Sequence, residues 1–282
     1  MSIDVRSRTA LPPPSYVPGG YRTADLCRTG NVRYNYLIKR RRHIEREGVN
    51  MGTIAQPRFS TARERLPSDA LVEFMRREGT SRRLERGETL DDGAMSNDVC
   101  HMTEGWVIRR RHVDDDHCGI VGTYMPGDFI DLDQLVEARI PDQLQALVDI
   151  EYLTLPANAL REAVREHSDI AFAIMRRLVA EADWLREGLT AIGQFPSAYR
   201  LLIYIAQTRR RMIAFGNLTR EAKTMPFPLT QAQLAEALGV SAIHANRTVA
   251  TLRNDFGVTF RARRVWFADL TAFEAEAARV MG

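Results

Sequence analysis

Hydrophobic positions recur along this chain in three successive rhythms. Residues 1 to about 60 show none that lasts: they hold Pro12-Pro13-Pro14, Pro18-Gly19-Gly20 and the basic run Lys39-Arg40-Arg41-Arg42-His43. From about Thr61 the pattern tightens. Leu66 to Arg77 reads as a short helix with Leu71, Val72, Phe74 and Met75 on one side. Short strand-like runs follow: Ser81–Leu84, Val99–Arg111 interrupted at Gly105, Gly119–Tyr124, and Leu144–Leu155. Glu85-Arg86-Gly87 and Pro126-Gly127-Asp128 punctuate them as turns, and Asp114-Asp115-Asp116 suits a solvated hairpin tip. Strands this short between such turns predict an antiparallel sandwich or barrel.

The third rhythm is helical. From Ser168 to Gly193, Met175, Leu178, Ala182, Leu185, Leu189 and Ile192 are spaced alternately by three and four. That is the seam of a two-stranded coiled coil, and it predicts pairing with a second copy, although packing on its own domain would use the same seam. Pro196 ends this helix, and Ser197 can cap the next, which runs to Ala214 with Leu201, Leu202, Ile205 and Met212. Arg209-Arg210-Arg211 stand near its C-terminal end, where cations suit the helix dipole. Residues 228–253 read PLTQAQLAEALGVSAIHANRTVATLR. Thr230 can cap a helix carrying Leu234, Ala235 and Leu238. Gly239 supplies a left-handed turn, and Ser241 caps a second helix ending near Arg253. Two short helices about one glycine form a helix-turn-helix, whose second member enters a DNA major groove. Thr259-Phe260 and Val265-Trp266-Phe267 then flank Arg261-Ala262-Arg263-Arg264 as two small strands with a basic tip, and Asp269–Met281 closes the chain as a helix.

Composition narrows the class. A chain of 282 residues accommodates two modest domains. Cys27, Cys100 and Cys118 are too scattered for a disulfide framework, so a reducing compartment is expected. No apolar run reaches the ~20 residues of a membrane span, and the N-terminus lacks the apolar core of a signal peptide. These readings predict a cytoplasmic protein with no membrane partner. A net charge of +3 decides nothing about nucleic acid, since a local basic face matters more than the sum. The first sixty residues read as a flexible basic extension, either solvated or touching DNA phosphates, and a third option is that translation begins at Met51.

The order sandwich, long helix, winged helix-turn-helix resembles the Crp/Fnr superfamily of bacterial transcription regulators. LTQAQLAEALGVSAIHANRTVATLR is similar to the family pattern LTxxxLAxxLGxxxxxVxRxLxxLR, with Ala245 in place of the usual valine. Gly105-Trp106-Val107, followed by Tyr124-Met125-Pro126-Gly127-Asp128-Phe129-Ile130, is similar to the family's sensor-domain motif. The resemblance covers residues 66 to 280. It implies an α+β architecture: an N-terminal antiparallel β-roll of the cyclic-nucleotide-binding type over 61–165, a dimerisation helix over 166–195, and a winged helix-turn-helix over 196–282, preceded by the extension 1–60. The implied partners are double-stranded DNA carrying a two-fold operator, a second copy of the chain, and RNA polymerase.

The residues expected on the reading face of the second helix are Ala242, Ile243, Asn246 and Arg247. The resemblance implies that Arg247 reads a guanine. Asn246 suits adenine or a phosphate. Ile243 stands where well-known members carry a base-reading glutamate, so a thymine methyl is the expected contact. His244 is expected on the helix surface rather than on a metal. Thr230, Gln231, Thr248, Arg261, Arg263 and Arg264 are expected phosphate contacts.

The sensor side departs from the family. Members that bind a cyclic nucleotide carry Gly-Glu-Leu after the Pro-Gly-Asp turn, then Arg-Ser; this chain has Asp131-Leu132-Asp133, and Ile140-Pro141 at the second position. The phosphate partner is missing, and aspartates repel an anion, so no cyclic nucleotide is expected. Three scattered cysteines do not hold an iron–sulfur cluster. His112, His117 and Cys118 are the one local set that could offer a haem ligand, and Cys100 or Cys118 could serve as a thiol sensor, but exposed hairpin residues and a small core cysteine explain them as well. No cofactor is therefore assigned. The expected mechanism is a shift between two orientations of the winged helices about a hinge at Gly193 to Pro196. No paired carboxylates, nucleophile–base set or phosphate loop points to an enzyme. A ligand-binding or scaffolding protein whose helix-turn-helix has stopped reading DNA remains the second reading, kept open by Ile243 at a reader position and by the modest net charge.

Overall fold

The computed structural model describes residues 69–90, 97–112, 118–136 and 142–281. All belong to one compact unit, Thr53–Gly282. The expected basic extension, the Asp114–Asp116 hairpin tip, Ile140-Pro141, Cys27 and His117 lie outside the described residues.

Helix α1, Ala70–Glu78, starts where Asp69 caps it by accepting from the Leu71 amide, and it buries Leu71 and Met75. Eight strands follow: β1 (Thr80–Leu84), β2 (Thr89–Leu90), β3 (Asp98–Glu104), β4 (Val107–His112), β5 (Cys118–Tyr124), β6 (Phe129–Ile130), β7 (Gln143–Ala146) and β8 (Ile150–Pro156). They form two antiparallel four-stranded sheets, ordered β1-β8-β3-β6 and β2-β7-β4-β5. Val107, Leu144 and Ala146 of one sheet meet Cys100, Met102, Ile130 and Tyr152 of the other in a shared buried cluster. The apolar stretch Leu144–Leu155 is therefore not one strand. It bends at Leu147 to Asp149, and its halves join different sheets.

Helix α2 (Ala157–Glu166) seals one side of the sandwich with Leu160 and Ala163, and periodicity alone did not single it out. Helix α3 spans Ser168–Gln194. It buries Ile170, Ala173, Ile174 and Ala191, whereas Met175, Leu178, Leu185, Leu189 and Ile192 are exposed and Ala182 is half-buried. Phe172 and Val179 widen this apolar stripe. Pro196 precedes α4 (Ser197–Ala214). Ser197 is the first helical residue rather than the cap, and its hydroxyl meets two side chains of the helix-turn-helix instead.

The remaining elements are β9 (Thr224–Pro226), α5 (Gln231–Leu238), α6 (Ala242–Phe256), β10 (Val258–Arg261), β11 (Arg264–Phe267) and α7 (Leu270–Met281). The wing has a third strand, in the order β10-β11-β9. Phe227, in the loop between Pro226 and Pro228, is buried and makes edge-on ring contacts with Trp106, Tyr204 and Phe260. Through it, Trp106, Ile108, Met125 and Leu147 of the sandwich share one core with Leu201, Ile205, Leu234 and Leu252. Burying an aromatic of this size contributes about 2–3 kcal/mol, so the sandwich and the winged helix are packed together rather than merely tethered.

Candidate nucleic-acid interface

The candidate reading face is set by local chemistry. Thr230 and Gln233 close a capping box at the start of α5: the Thr230 hydroxyl accepts from the Gln233 amide, and the Gln233 side chain accepts from the Thr230 amide. Gly239 ends the helix with φ at 63°, a conformation that costs little without a Cβ. Ser241 caps α6 by accepting from the His244 amide at 3.3 Å. The helix runs on to Phe256, one turn past its expected end, and stops at Gly257.

Helix α6 is two-sided. Ala245, Thr248 and Leu252 face inward and are buried, with Val249 half-buried beside them. Ala242, Ile243, Asn246 and Arg247 are exposed, at the spacing of one helical face. Ile243 is 70 % exposed, an apolar tip on an otherwise polar row. Among the described residues, nothing hydrogen-bonds or ion-pairs with the side chain of Arg247 or Asn246. Two rigid supports hold this face: the Ser197 hydroxyl meets Thr248 Oγ1 at 2.7 Å and His244 Nε2 at 2.8 Å. His244 therefore sits on the helix surface and is tied to α4.

Thr248 requires a correction. It was expected to touch a DNA phosphate, but it is 3 % exposed and its hydroxyl is taken by Ser197. Thr230 and Gln231 are exposed at the N-terminal end of α5. The wing turns at Ala262 and Arg263 with φ of 48° and 56°. Two positive φ values in a two-residue hairpin define a type I′ turn, here made without its usual asparagine or glycine. Arg261 at the tip is exposed, and among the described residues its guanidinium has no hydrogen bond or ion pair. Arg263 is exposed too, yet its Nη1 donates to the Leu147 carbonyl at 3.3 Å and its own carbonyl accepts from the Phe227 amide. Arg264 is half-buried and donates from Nε to Thr224 Oγ1 at 3.2 Å.

Several arginines that the sequence presents as helix-end cations are structural. Arg209 is only 2 % exposed; it donates to the carbonyls of Arg220 and Ala222 and pairs with Glu274 at 3.1 Å. Arg210 pairs with Glu187 on α3 at 2.5 Å. Arg211 reaches Asp128 in the Pro-Gly-Asp turn, donates to the Thr123 carbonyl and lies 4.8 Å over the Trp184 ring. Arg110 on β4 pairs with Glu236 on α5 at 2.9 Å.

Arg109 on β4 pairs with Asp131, which takes the left-handed conformation with φ at 63°. Burial pushes the Asp131 carboxyl above the ordinary range, against the pull of Arg109. The aspartate expected to repel an anion thus has a cationic partner, which the pattern along β4 does not announce because a strand arginine can face either side. Tyr124 covers this pair, its ring 5.3 Å from the Arg109 guanidinium, and burial raises its phenol. Cys100 is fully buried and burial raises its thiol strongly, leaving it protonated, as suits a core residue. Cys118 is exposed, with its sulfur 3.7 Å from His112 Nε2. Among the described residues no group of three or more His, Cys, Asp or Glu could hold a metal ion, and no helix is long and apolar enough to cross a membrane.

No family model and no curated protein matches this sequence. Solved structures do match. FixK2 from Bradyrhizobium japonicum superposes with a TM-score of 0.60 at 16 % identity, over 70 % of this chain and 96 % of that one. A CooA mutant from Carboxydothermus hydrogenoformans gives 0.57 at 15 %, over 76 % and 98 %. TTHB099, a transcriptional regulator of the CRP family from Thermus thermophilus, gives 0.53 at 18 %, over 70 % and 96 %. The expected α+β architecture, antiparallel roll, long helix and winged helix-turn-helix, is the fold this chain shares with these proteins.

Proposed function

We propose that this chain is a sequence-specific DNA-binding transcription regulator of the Crp/Fnr type, acting as a homodimer on a two-fold operator. The observation that carries the reading is the exposed row Ala242, Ile243, Asn246 and Arg247 on a helix whose inward side is locked by Thr248 and Leu252. A row with a free guanidinium, a carboxamide and an apolar tip suits the edges of bases. Arg247 donates twice to a guanine, Asn246 pairs with adenine or a phosphate, and Ile243 meets a thymine methyl. Thr230, Gln231 and Arg261 supply phosphate contacts, joined by Arg263 and Arg264 where their intramolecular bonds give way.

The exposed stripe of α3 supports the dimer. Met175, Leu178, Ala182, Leu185, Leu189 and Ile192 pair with their copies, which places two reading helices for a two-fold site. On this reading residues 61–165 are the sensor, 166–195 the dimer helix and 196–282 the DNA-binding unit, and the partners are double-stranded DNA, a second copy and RNA polymerase, in the cytoplasm. The likeness to a transcriptional regulator of the CRP family supports a regulatory rather than enzymatic role.

The test is footprinting of the purified protein on sheared genomic DNA from its own source, with and without the substitution Arg247→Ala. A two-fold motif recovered by the wild-type protein and lost by the variant is the expected result. Equal recovery of that motif by both proteins would overturn base reading by Arg247, and no enrichment by either, with cell extract added to supply an effector, would favour a scaffold whose helix-turn-helix no longer reads DNA.

A further inference from the structure

A cavity of about 430 Å³ lies on the far side of β3 from the sandwich interior, where α1, β3, the Pro-Gly-Asp turn, α3 and the end of α4 meet. Val72, Pro126 and Phe215 give it apolar wall, and Arg76, His101 and Arg177 give it polar wall. Its volume suits a compact ligand, such as one ring bearing a charged group.

The charges on that wall do not cancel. Asp69 is already satisfied: Oδ1 accepts from the Leu71 amide at the start of α1, and Oδ2 accepts from Arg177 Nη2 at 2.7 Å. Arg177 is fixed in turn by donating to the Gly127 carbonyl at 2.6 Å, with its guanidinium stacked between the rings of Phe129 and Phe215. Arg76 differs. It is exposed, and among the described residues its guanidinium has no hydrogen bond or ion pair. His101 contributes no charge near neutral pH, because burial pushes its imidazole down to about 4. Its Nδ1 sits 3.2 Å from the Asp128 carbonyl, which can only accept, so Nδ1 carries the proton and Nε2 is left as an acceptor. Two guanidinium groups against one carboxylate leave a net positive wall beside apolar surface.

We propose that this cavity binds a small organic anion, carrying one carboxylate or phosphate on a compact apolar body, with Arg76 as the charge partner. A fork of free N–H donors at the mouth pairs with either oxyanion, and the fixed Arg177 raises the local potential without moving. The His101 acceptor accommodates a hydroxyl or N–H donor on the same molecule. This site is separate from the sandwich interior, where Arg109 pairs with Asp131, and it does not depend on DNA reading.

The test titrates the full chain, labelled with ¹⁵N at histidine, with phenyl phosphate, benzoate and uncharged benzyl alcohol, all without DNA. The expected result is a saturable shift of the His101 ring nitrogens with phenyl phosphate or benzoate, with the His244 signal still and no saturation by benzyl alcohol. The stronger of the two anions identifies phosphate or carboxylate as the preferred head group. Arg76→Gln, on an exposed helix position, weakens the binding by about tenfold or more. The proposal is overturned if neither anion moves His101, if benzyl alcohol saturates as the anions do, or if Arg76→Gln binds as well as the wild-type protein. Loss of DNA binding in a separate footprint would leave this outcome untouched.

Discussion

Arg110 Nε donates to Glu236 Oε2 at 2.9 Å, joining the sandwich to the first helix of the helix-turn-helix across 126 residues of sequence. The arginine is mostly buried and also donates to Gln145 on the neighbouring strand, so it is held in place before it meets the glutamate. A preorganised, partly buried pair loses less entropy than a surface ion pair. Urea unfolding of Arg110→Gln, Glu236→Gln and the double variant should give a coupling of about 1 kcal/mol. A coupling near zero would mean that the winged helix is held by Phe227 and its neighbours alone.

Gly127 marks where the Pro-Gly-Asp turn meets the end of α4. Its φ is +100°, and an added Cβ would stand 2.5 to 2.9 Å from atoms of the Phe215 side chain. Gly87 has a similar φ of +89° with open space around it. Backbone strain alone should make Gly87→Ala cost about 1 kcal/mol, whereas Gly127→Ala adds overpacking and should cost about 3 kcal/mol or more. Comparing the two urea midpoints isolates the contact with Phe215. Equal losses would show that the ring moves aside freely.

Thr248 and Arg247 are sequence neighbours with opposite duties. Thr248→Val keeps the shape but leaves the Ser197 hydroxyl with His244 as its one remaining partner of the two, and should cost about 1 kcal/mol of stability. Under the proposed function, its operator preference stays intact at temperatures where it is folded. Arg247→Ala should leave stability within about 0.5 kcal/mol, since the side chain is exposed and unpaired, and should abolish base preference. Paired thermal melts and footprints of the two variants check both halves. A destabilised Arg247→Ala would assign that arginine to the fold.

What could be read from the sequence was local. Thr230, Ser241 and Gly239 act within a few residues of themselves, and the structure has them as capping and turn residues. What escaped was long-range. Arg211 finds Asp128 from 83 positions away, and Arg177 finds Asp69 from 108, and no periodicity announces such meetings. Arg209, Arg210 and Arg211 read as cations suited to a helix end, because their partners lie on other elements or further along the chain. Thr248 was misassigned for a different reason: a small hydroxyl residue fits either face of an amphipathic helix. The Leu144–Leu155 run hid its bend because both halves are apolar, and only their pairing with different sheets separates them.

The stripe on α3 carries a prediction about assembly. Leu189 is 72 % exposed and Leu185 and Ile192 are about as open as each other, on a helix whose opposite face is already buried. Leu185→Arg with Leu189→Arg puts two cations into the seam and should convert a dimer into a monomer at micromolar concentration, without unfolding the sandwich. Sedimentation velocity reads the mass, and circular dichroism checks the helix content. A wild-type protein already monomeric at those concentrations would assign the stripe another role and remove the geometric basis for a two-fold site.

His101 gives the fold one source of acid sensitivity. It is 4 % exposed, stacked on Phe129 at 4.5 Å between ring centroids, and its imidazole is held neutral down to about 4. An unfolded chain protonates the same ring near 6.5. Between these values the unfolded state binds more protons, so this group's contribution is complete above 6.5 and is lost as pH falls toward 4. From pH 7 to pH 5 the loss from this residue should be about 2 kcal/mol per chain. Asp131, raised by burial, acts with the opposite sign, so the wild-type slope alone does not isolate the histidine. The measurement is urea unfolding of the wild-type protein and His101→Gln at both pH values. The variant should be less stable at pH 7 and should show a loss on acidification smaller by about that 2 kcal/mol. Parallel losses would mean that the ring is protonated in the folded state well above pH 4, and that the Asp128 carbonyl stabilises an imidazolium.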